Sequence, residues 1–415
     1  MPRMTAGSRL FFGVTLPLTG LNFLNQASRT VMAIIGPVLA VEFGLSASEL
    51  GLLAACMFAS YGLAQLPVGV ALDTIGPRRL QAGLSLVAAA GFAVFALSSG
   101  LAGFSIGRLL LGVGMSAGLM SILKANTLWF LPAQVAGVTG IATAISSLGS
   151  VATTSPVQWA LPVLGWRGVF WLLAGAAFAV SLWIFLSVRD KPTPAARRGL
   201  KDELAVMGTI FASRPFWRYG PPVALLSASN FAYLGLWAGP WLRDVAGYDG
   251  TARAQTLFLY TLAMMAGGVI NGQAASRLQA SGYPALFVPV ACIAGLLAAQ
   301  LGLALRPANG AAVLALWLAF AFFASGAAPA YVAVGQMFPV EQMGRVSTAI
   351  NSLTLAGAFL LQSAVGWILD LWPRTAAGGW DPRGYSAALL GSVAILVLAS
   401  IHLARWTTGW IRGRR

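Results

Sequence analysis

The sequence specifies an all-α membrane protein: twelve transmembrane helices in two parallel-repeat six-helix bundles. Three observations lead there: a composition too apolar for water, twelve long apolar stretches, and one polar interruption that divides them six and six. Of the 415 residues, 58% are hydrophobic and 9% charged, against about 45–50% and about 25% in soluble domains. A spanning helix needs about 20 mostly apolar residues. Such stretches occupy 10–41, 48–71, 80–100, 104–128, 136–160, 167–188, 219–243, 253–275, 285–305, 311–335, 346–371 and 385–405. Lipid offers no partner to free backbone amides, so spans are helices or closed barrel strands. Runs this continuously apolar exclude the alternation of a barrel.

Span 1 follows Arg3 and Arg9 as a signal peptide would, yet it exceeds an h-region and lacks a small-residue cleavage site, so it is predicted to be retained. Cytoplasmic loops carry the excess of Lys and Arg. With the N-terminus inside, 17 of the 26 basic residues fall on the cytoplasmic side and 7 outside, while Arg29 and Lys124 lie within spans. The expected location is therefore a bacterial inner membrane, with both termini cytoplasmic. The formal charge of +15 is largely this topological bias. A nucleic-acid partner would need a soluble basic module, and the sequence has none.

Cys56 and Cys292 sit in apolar spans as packing residues. No His, Cys or carboxylate group has metal-ligand spacing, no nucleophile is paired with His, and His402 reads as interfacial. Neither metal, cofactor nor enzymatic chemistry is expected. The expected partners are membrane lipid and a small-molecule solute, with the chain a monomer.

The long polar segment 189–218 separates a bundle at 1–188 from one at 219–415 with a short basic tail. It reads as a cytoplasmic linker with a short amphipathic interfacial helix, its basic surplus suited to anionic lipid. The halves match each other at a fixed offset. Gly36, Pro37, Leu39, Gly44 and Gly69 correspond to Gly239, Pro240, Leu242, Gly247 and Gly272 at 203, and Gln134, Val138 and Gly149 to Gln342, Val346 and Gly357 at 208.

The loop after span 2 reads Gly69-Val-Ala-Leu-Asp73-Thr-Ile-Gly76-Pro-Arg78-Arg79. It resembles G-x-x-x-D-x-x-G-x-R-[RK], the loop signature of the major facilitator superfamily. Arg108-Leu-Leu-Leu-Gly112-Val-Gly114 in span 4 is similar to that superfamily's second motif. Within the family, the arginine of span 1, Gln65 and Pro67, and the run Gly165-Trp-Arg-Gly168 look like carriers of organic anions, and distantly like lysosomal dipeptide carriers. The Gly-Pro pair of drug antiporters is missing from span 5, which reads Gly140-Ile-Ala-Thr-Ala-Ile-Ser-Ser-Leu-Gly149. The resemblance implies a secondary transporter working by alternating access.

In the loop signature, Gly69 allows close helix approach and Gly76 a turn closed to other residues. Asp73 can meet the positive end of a neighbouring helix, such as span 11 near Arg345. Arg78 and Arg79 bind acidic groups or lipid phosphate, or simply fix topology. Together they are candidates for holding the cytoplasmic side shut, with Arg108 as a helix-bridging or interfacial residue. The second half has Ser276 at the Asp position, so this gate is asymmetric.

Span 1 carries Asn22, Asn25, Gln26 and Arg29 on one helical face. A central arginine costs about 2.5–3.5 kcal/mol on insertion scales, and no acidic residue occupies the middle third of any span. A planar guanidinium suits carboxylate or phosphate, so an arriving anion is one partner; helix carbonyls or a glutamine are the other. Position 232, its repeat equivalent, is Ala, which favours binding over architecture. Lys124 either faces the same cavity or snorkels to the interface. The remaining candidate lining is Tyr61, Gln65, Asn230, Tyr233, Trp237, Tyr260, Tyr331, Asn351 and Gln362, while the hydroxyls of span 5 read as packing. These features point to a cavity between the halves for an anionic or zwitterionic solute. Glu42, Glu49 and Asp370 lie near span ends, which favours facilitated transport or anion exchange over a proton relay. Export of apolar or cationic drugs, or solute sensing through 189–218, are the alternatives.

Overall fold

The computed structural model describes residues 6–190, 200–339, 342–376 and 378–413, and among them no strand occurs. Arg3, Arg414 and Arg415, and Lys191, Pro192, Pro194, Arg197 and Arg198 of the linker, lie outside the described residues. Among the described residues, ten helices are long and apolar enough to cross a membrane. Span 1 (Ala6–Leu10, Phe11–Thr15, Leu16–Glu42) and span 7 (Arg214–Ala232, Tyr233–Trp237, Ala238–Asp244) complete twelve. Each of these two contains a one-turn π-helix at Phe11–Thr15 or Tyr233–Trp237, the irregularity that often marks a working helix. A helix Leu200–Phe211 lies within the expected linker.

Gly165 (φ 63°, ψ 173°) breaks Ser155–Ser187, so span 5 ends and span 6 begins at a residue whose backbone angles favour glycine. Trp166 then packs edge-on to Phe104 and Phe95, and Arg167 lies 4.1 Å over the Trp166 ring. The Gly-Trp-Arg-Gly run therefore builds a turn and an aromatic anchor.

The duplication is visible in the turns. Gly44 and Gly247 both take positive φ, 64° and 69°. The helices that follow start with side-chain caps at equivalent places: the Ser46 hydroxyl accepts from Glu49 N–H (3.1 Å), and Asp249 accepts from Ala252 N–H (2.7 Å). Spans 4 and 10 both loosen midway, at Ser116 and Ser325, whose hydroxyls donate to the carbonyls of Val113 (2.7 Å) and Phe322 (2.6 Å).

The chain clusters into two compact units. Unit 1 comprises Met1–Ile35 and Cys56–Glu203, and unit 2 comprises Gly36–Ala55 and Leu204–Arg415. Unit 1 has a core of Leu18, Ala82, Ile122, Ala125, Ala142 and Ile184. Unit 2 is centred on an aromatic cluster of Tyr233, Trp241, Tyr260, Trp317 and Phe320, with ring centroids 5.2–6.1 Å apart.

Candidate functional site

In unit 1 the polar face of span 1 forms a chain of bonds. Arg29 Nε donates to Asn25 Oδ1 at 3.1 Å, and Asn25 Nδ2 donates to Asn22 Oδ1 at 3.3 Å. The half-buried guanidinium lies 5.0 Å from the centroid of Tyr61 and 5.6 Å from that of Phe58. Aromatic faces stabilise a cation electrostatically, more so when desolvated. Asn25 is thereby a positioning residue, its carbonyl oxygen holding Arg29 and its amide held by Asn22. Gln26 is half-buried, its carbonyl accepting from Thr30 Oγ1 at 3.1 Å. Gln65, one turn beyond Tyr61 on span 2, is buried. Phe58 is absent from the sequence expectation, although 58, 61 and 65 share one helical face.

Arg108 is fully buried and donates to the Ser28 carbonyl at 2.8 Å. It bridges spans 4 and 1 at the residue before Arg29. Close approach of spans 5 and 1 comes from Gly149, where a Cβ would stand 2.0 Å from the Phe23 carbonyl oxygen. The hydroxyls of Thr143, Ser146 and Thr154 donate to carbonyls of their own helix.

Lys124 forms an ion pair with Asp73 and donates to the Leu72 carbonyl at 3.2 Å. Gly69 lines the depression beside this pair, and nothing lies within 4 Å of where its Cβ would be, so close helix approach is not its role. Gly76 has φ 87°, the left-handed turn expected of it. The signature arginines diverge. Arg78 is folded back, its Nε donating to the Phe185 carbonyl at 2.9 Å and its guanidinium over the Phe185 ring, while its backbone N–H donates to Asp190. Arg79 is exposed. Because the Asp73 side chain is half exposed, the pair is worth about 0–1 kcal/mol of stability. Asp73→Asn is thus expected to leave the thermal midpoint of detergent-solubilised protein nearly unchanged.

In unit 2, three expected lining residues turn out to be core. Tyr233, Trp237 and Tyr260 are at most 1% exposed. Their rings pack among aromatic neighbours, because the apolar body of Tyr or Trp gains more from burial than the polar tip loses once bonded. Trp237 Nε1 donates to the Gln362 carbonyl at 3.0 Å, and the Gln362 side chain is itself buried. Tyr260 donates to Asn230 Oδ1 at 2.9 Å, and Asn230 Nδ2 reaches the Met264 sulfur. That leaves half-buried Asn351 and Tyr331, the latter sharing a 2.7 Å hydrogen bond with Thr354.

Comparison with known proteins bears on the family and the fold. The family model described as Major Facilitator Superfamily matches residues 18–362. The probable sulfoacetate transporter SauU of Cupriavidus necator is 24% identical over 62% of this chain and 63% of its own length. The probable L-galactonate transporter of Escherichia coli K12 is 30% identical over 45% of this chain and 40% of its own. The chain thus spans under two thirds of these curated relatives in the aligned regions. A bacterial homolog to the human lysosomal transporter Spinster, solved inward-facing and unoccupied, is similar with TM-score 0.78 and 16% identity, covering 96% of this chain and 97% of that one. At such identity the likeness is one of fold. Twelve helical spans among the described residues, a repeat visible in paired turns, and a family match over most of the length converge: the chain belongs to the Major Facilitator Superfamily.

Proposed function

We propose that the protein carries a small organic anion or zwitterion, bearing carboxylate, sulfonate or phosphate, across a bacterial inner membrane by alternating access, with Arg29 gripping the acidic group. The observation that carries this is the seating of Arg29: Asn25 fixes Nε and the rings of Tyr61 and Phe58 flank the guanidinium. A site pre-organised in this way does not have to order a long side chain on binding. Tyr61, Gln65 and Gln26 are the polar lining beside Arg29 in this reading. The relatives named for sulfoacetate and galactonate support it, since both solutes are organic acids.

Asp73 and Lys124 act in this reading as a cytoplasmic latch, with both termini on that side. Asp73→Asn and Lys124→Met are expected to slow transport without lowering folded yield; equal transport by both variants and wild type in proteoliposomes would discard the latch.

The partners of four described carboxylates support a reading of the coupling. Glu49 caps Ser46 N–H, Asp190 caps Arg78 N–H, Asp244 accepts from Tyr385 and Arg243, and Asp370 accepts from Ala47 and Ser48. Each serves a helix end or a loop, which favours facilitated transport or anion exchange over a proton relay. Uptake into proteoliposomes is expected to proceed at the same rate with and without a pH gradient.

The reading as a whole is tested by a thermal-shift screen and counterflow on purified protein. Stabilisation and exchange by carboxylates, sulfonates or phosphate esters are the expected result. Response to apolar cations alone would assign drug export, and binding without counterflow would assign a sensor.

A further inference from the structure

Span 9 (Phe287–Ala304) and span 12 (Pro382–Gly413) run antiparallel within unit 2, tied near one end by Ser386, whose hydroxyl donates to the Ala304 carbonyl at 2.7 Å. Toward their other end they part. A groove of about 290 Å³ opens between them, walled by Val290, Ile293, Ala294, Val397, Ile401 and Ala404 and apolar throughout except for Ser400. It opens because alanine at 294 and 404 and serine at 400 are too short to reach across the gap. The corresponding pair in unit 1 is closed. There Ser181 of span 6 donates to the Ala82 carbonyl of span 3 at 2.8 Å, and Ile184 and Val188 share a core with Ala82. The groove therefore comes from the side chains of this half and not from the repeated fold.

One turn further along both helices, from Val290 to Leu286 and from Leu403 to Trp406, lies a second pocket of about 310 Å³ with a different character. Gln279 at the end of span 8 donates to the side-chain carbonyl of Gln336 at 2.9 Å, and Tyr283 and Trp406 complete the polar wall. The rings of Tyr283, Phe287, Trp406 and Trp410 stand together with centroids 5.0–5.8 Å apart, the amphipathic belt that marks the edge of the hydrocarbon. Arg405 is exposed and continues the row of Val397 and Ile401 along span 12. No Asp or Glu occurs between Asp249 and Glu341 or after Asp381, so no carboxylate of spans 8, 9, 10 or 12 offsets that charge.

We propose that this face binds one anionic phospholipid, with an acyl chain in the groove, the glycerol esters at the two glutamines and the phosphate at Arg405. Apolar, uncharged polar and cationic surfaces follow one another along the helices in the order of the parts of such a lipid. An unfilled groove would leave its walls without contact partners, and a seated chain restores them. Basic positions between helix ends favour anionic headgroups. Every residue of the seat belongs to unit 2, whereas Arg29 belongs to unit 1.

The test uses no transported solute, so it succeeds or fails independently of the anion reading. Purified, delipidated full-length protein is titrated with phosphatidylglycerol or with phosphatidylcholine of the same chains, and the first bound lipid is counted by native mass spectrometry. Wild type is expected to hold the first phosphatidylglycerol about fivefold more tightly than phosphatidylcholine, the scale of one basic residue beside an anionic surface. Arg405→Gln should remove that preference. Ala404→Phe, which fills the groove from an exposed position, should weaken both lipids at least about tenfold, the scale of two buried methylenes. If Ala404→Phe does not elute as folded protein, Ala294→Phe fills the groove from span 9. Equal affinity of wild type for the two lipids, or a preference that Arg405→Gln leaves in place, would overturn the anionic occupant. Filling the groove without effect would overturn the seat, as would a dimer that Ala404→Phe breaks, since the groove would then belong to a second copy of the chain.

Discussion

Arg29→Ala is expected to reduce organic-anion uptake to background, and Arg29→Lys to reduce it at least tenfold although the charge is kept. The two differ because the structure uses the shape of arginine as well as its charge. Nε is spent on Asn25, which sets the plane of the guanidinium between Tyr61 and Phe58. Lysine has no fork to divide between a positioning bond and a ligand. A hydrogen bond to a charged group is worth about 1.5–3 kcal/mol, and losing one partner of a desolvated charge pair costs about 2–5 kcal/mol. The alanine variant should therefore lose about 30- to several-thousand-fold in affinity. Asn25→Asp is the sharper companion: it keeps the geometry but places a carboxylate against Nε, giving Arg29 an internal anion that competes with the solute. Concentration-dependent counterflow in proteoliposomes checks all three. Wild-type KM in Arg29→Lys, or undiminished uptake in Asn25→Asp, would remove Arg29 from the binding site.

Gly149→Ala is expected to be the most destabilising small substitution in span 5. Its Cβ would stand 2.0 Å from the carbonyl oxygen of Phe23, also close to the Ala27 nitrogen, both backbone atoms that a rotamer change cannot clear. Overpacking of this kind costs about 1–3 kcal/mol or more, and here it would push span 5 off span 1 within a helical turn of Asn25. Gly137 and Gly140 stand on the same helix with nothing within 4 Å. Alanine at either should be neutral or slightly stabilising, since glycine in a helix interior costs about 0.5–1 kcal/mol relative to Ala. Thermal unfolding of the three variants in detergent gives the comparison, and equal midpoints would show that spans 1 and 5 do not touch as described.

The polar stripe of span 1 is a matter of helical period, and the repeat shows in Gly44 and Gly247 because a left-handed turn leaves a local signature. Legibility ends where a side chain's value depends on what faces it. Tyr233, Trp237 and Tyr260 carry the same amphipathic rings whether they line a cavity or fill a core, and only the packing around Trp317 and Phe320 decides. Lys124 reads as an isolated charge until Asp73, 51 positions earlier, is brought beside it. Gly69 fits the loop signature, yet the space above it is open, which no motif reveals. Phe58 was recoverable from its spacing to Tyr61 and Gln65, but an apolar residue in an apolar span attracts no attention without the cation it flanks.

The docking of 36–55 also dictates an order of assembly. Ala47 and Ser48 leave the ribosome long before Asp370, 323 and 322 residues later, and Leu45 waits still longer for Arg374. While the intervening spans are being made, the start of the second helix depends on Ser46, Glu49 and interfacial water, and Gly51 faces no Gln362 carbonyl. The first loop between spans is thus among the last parts of the chain to reach its final contacts. A truncation that stops before span 11 should leave that apex open to protease even when every preceding span has inserted.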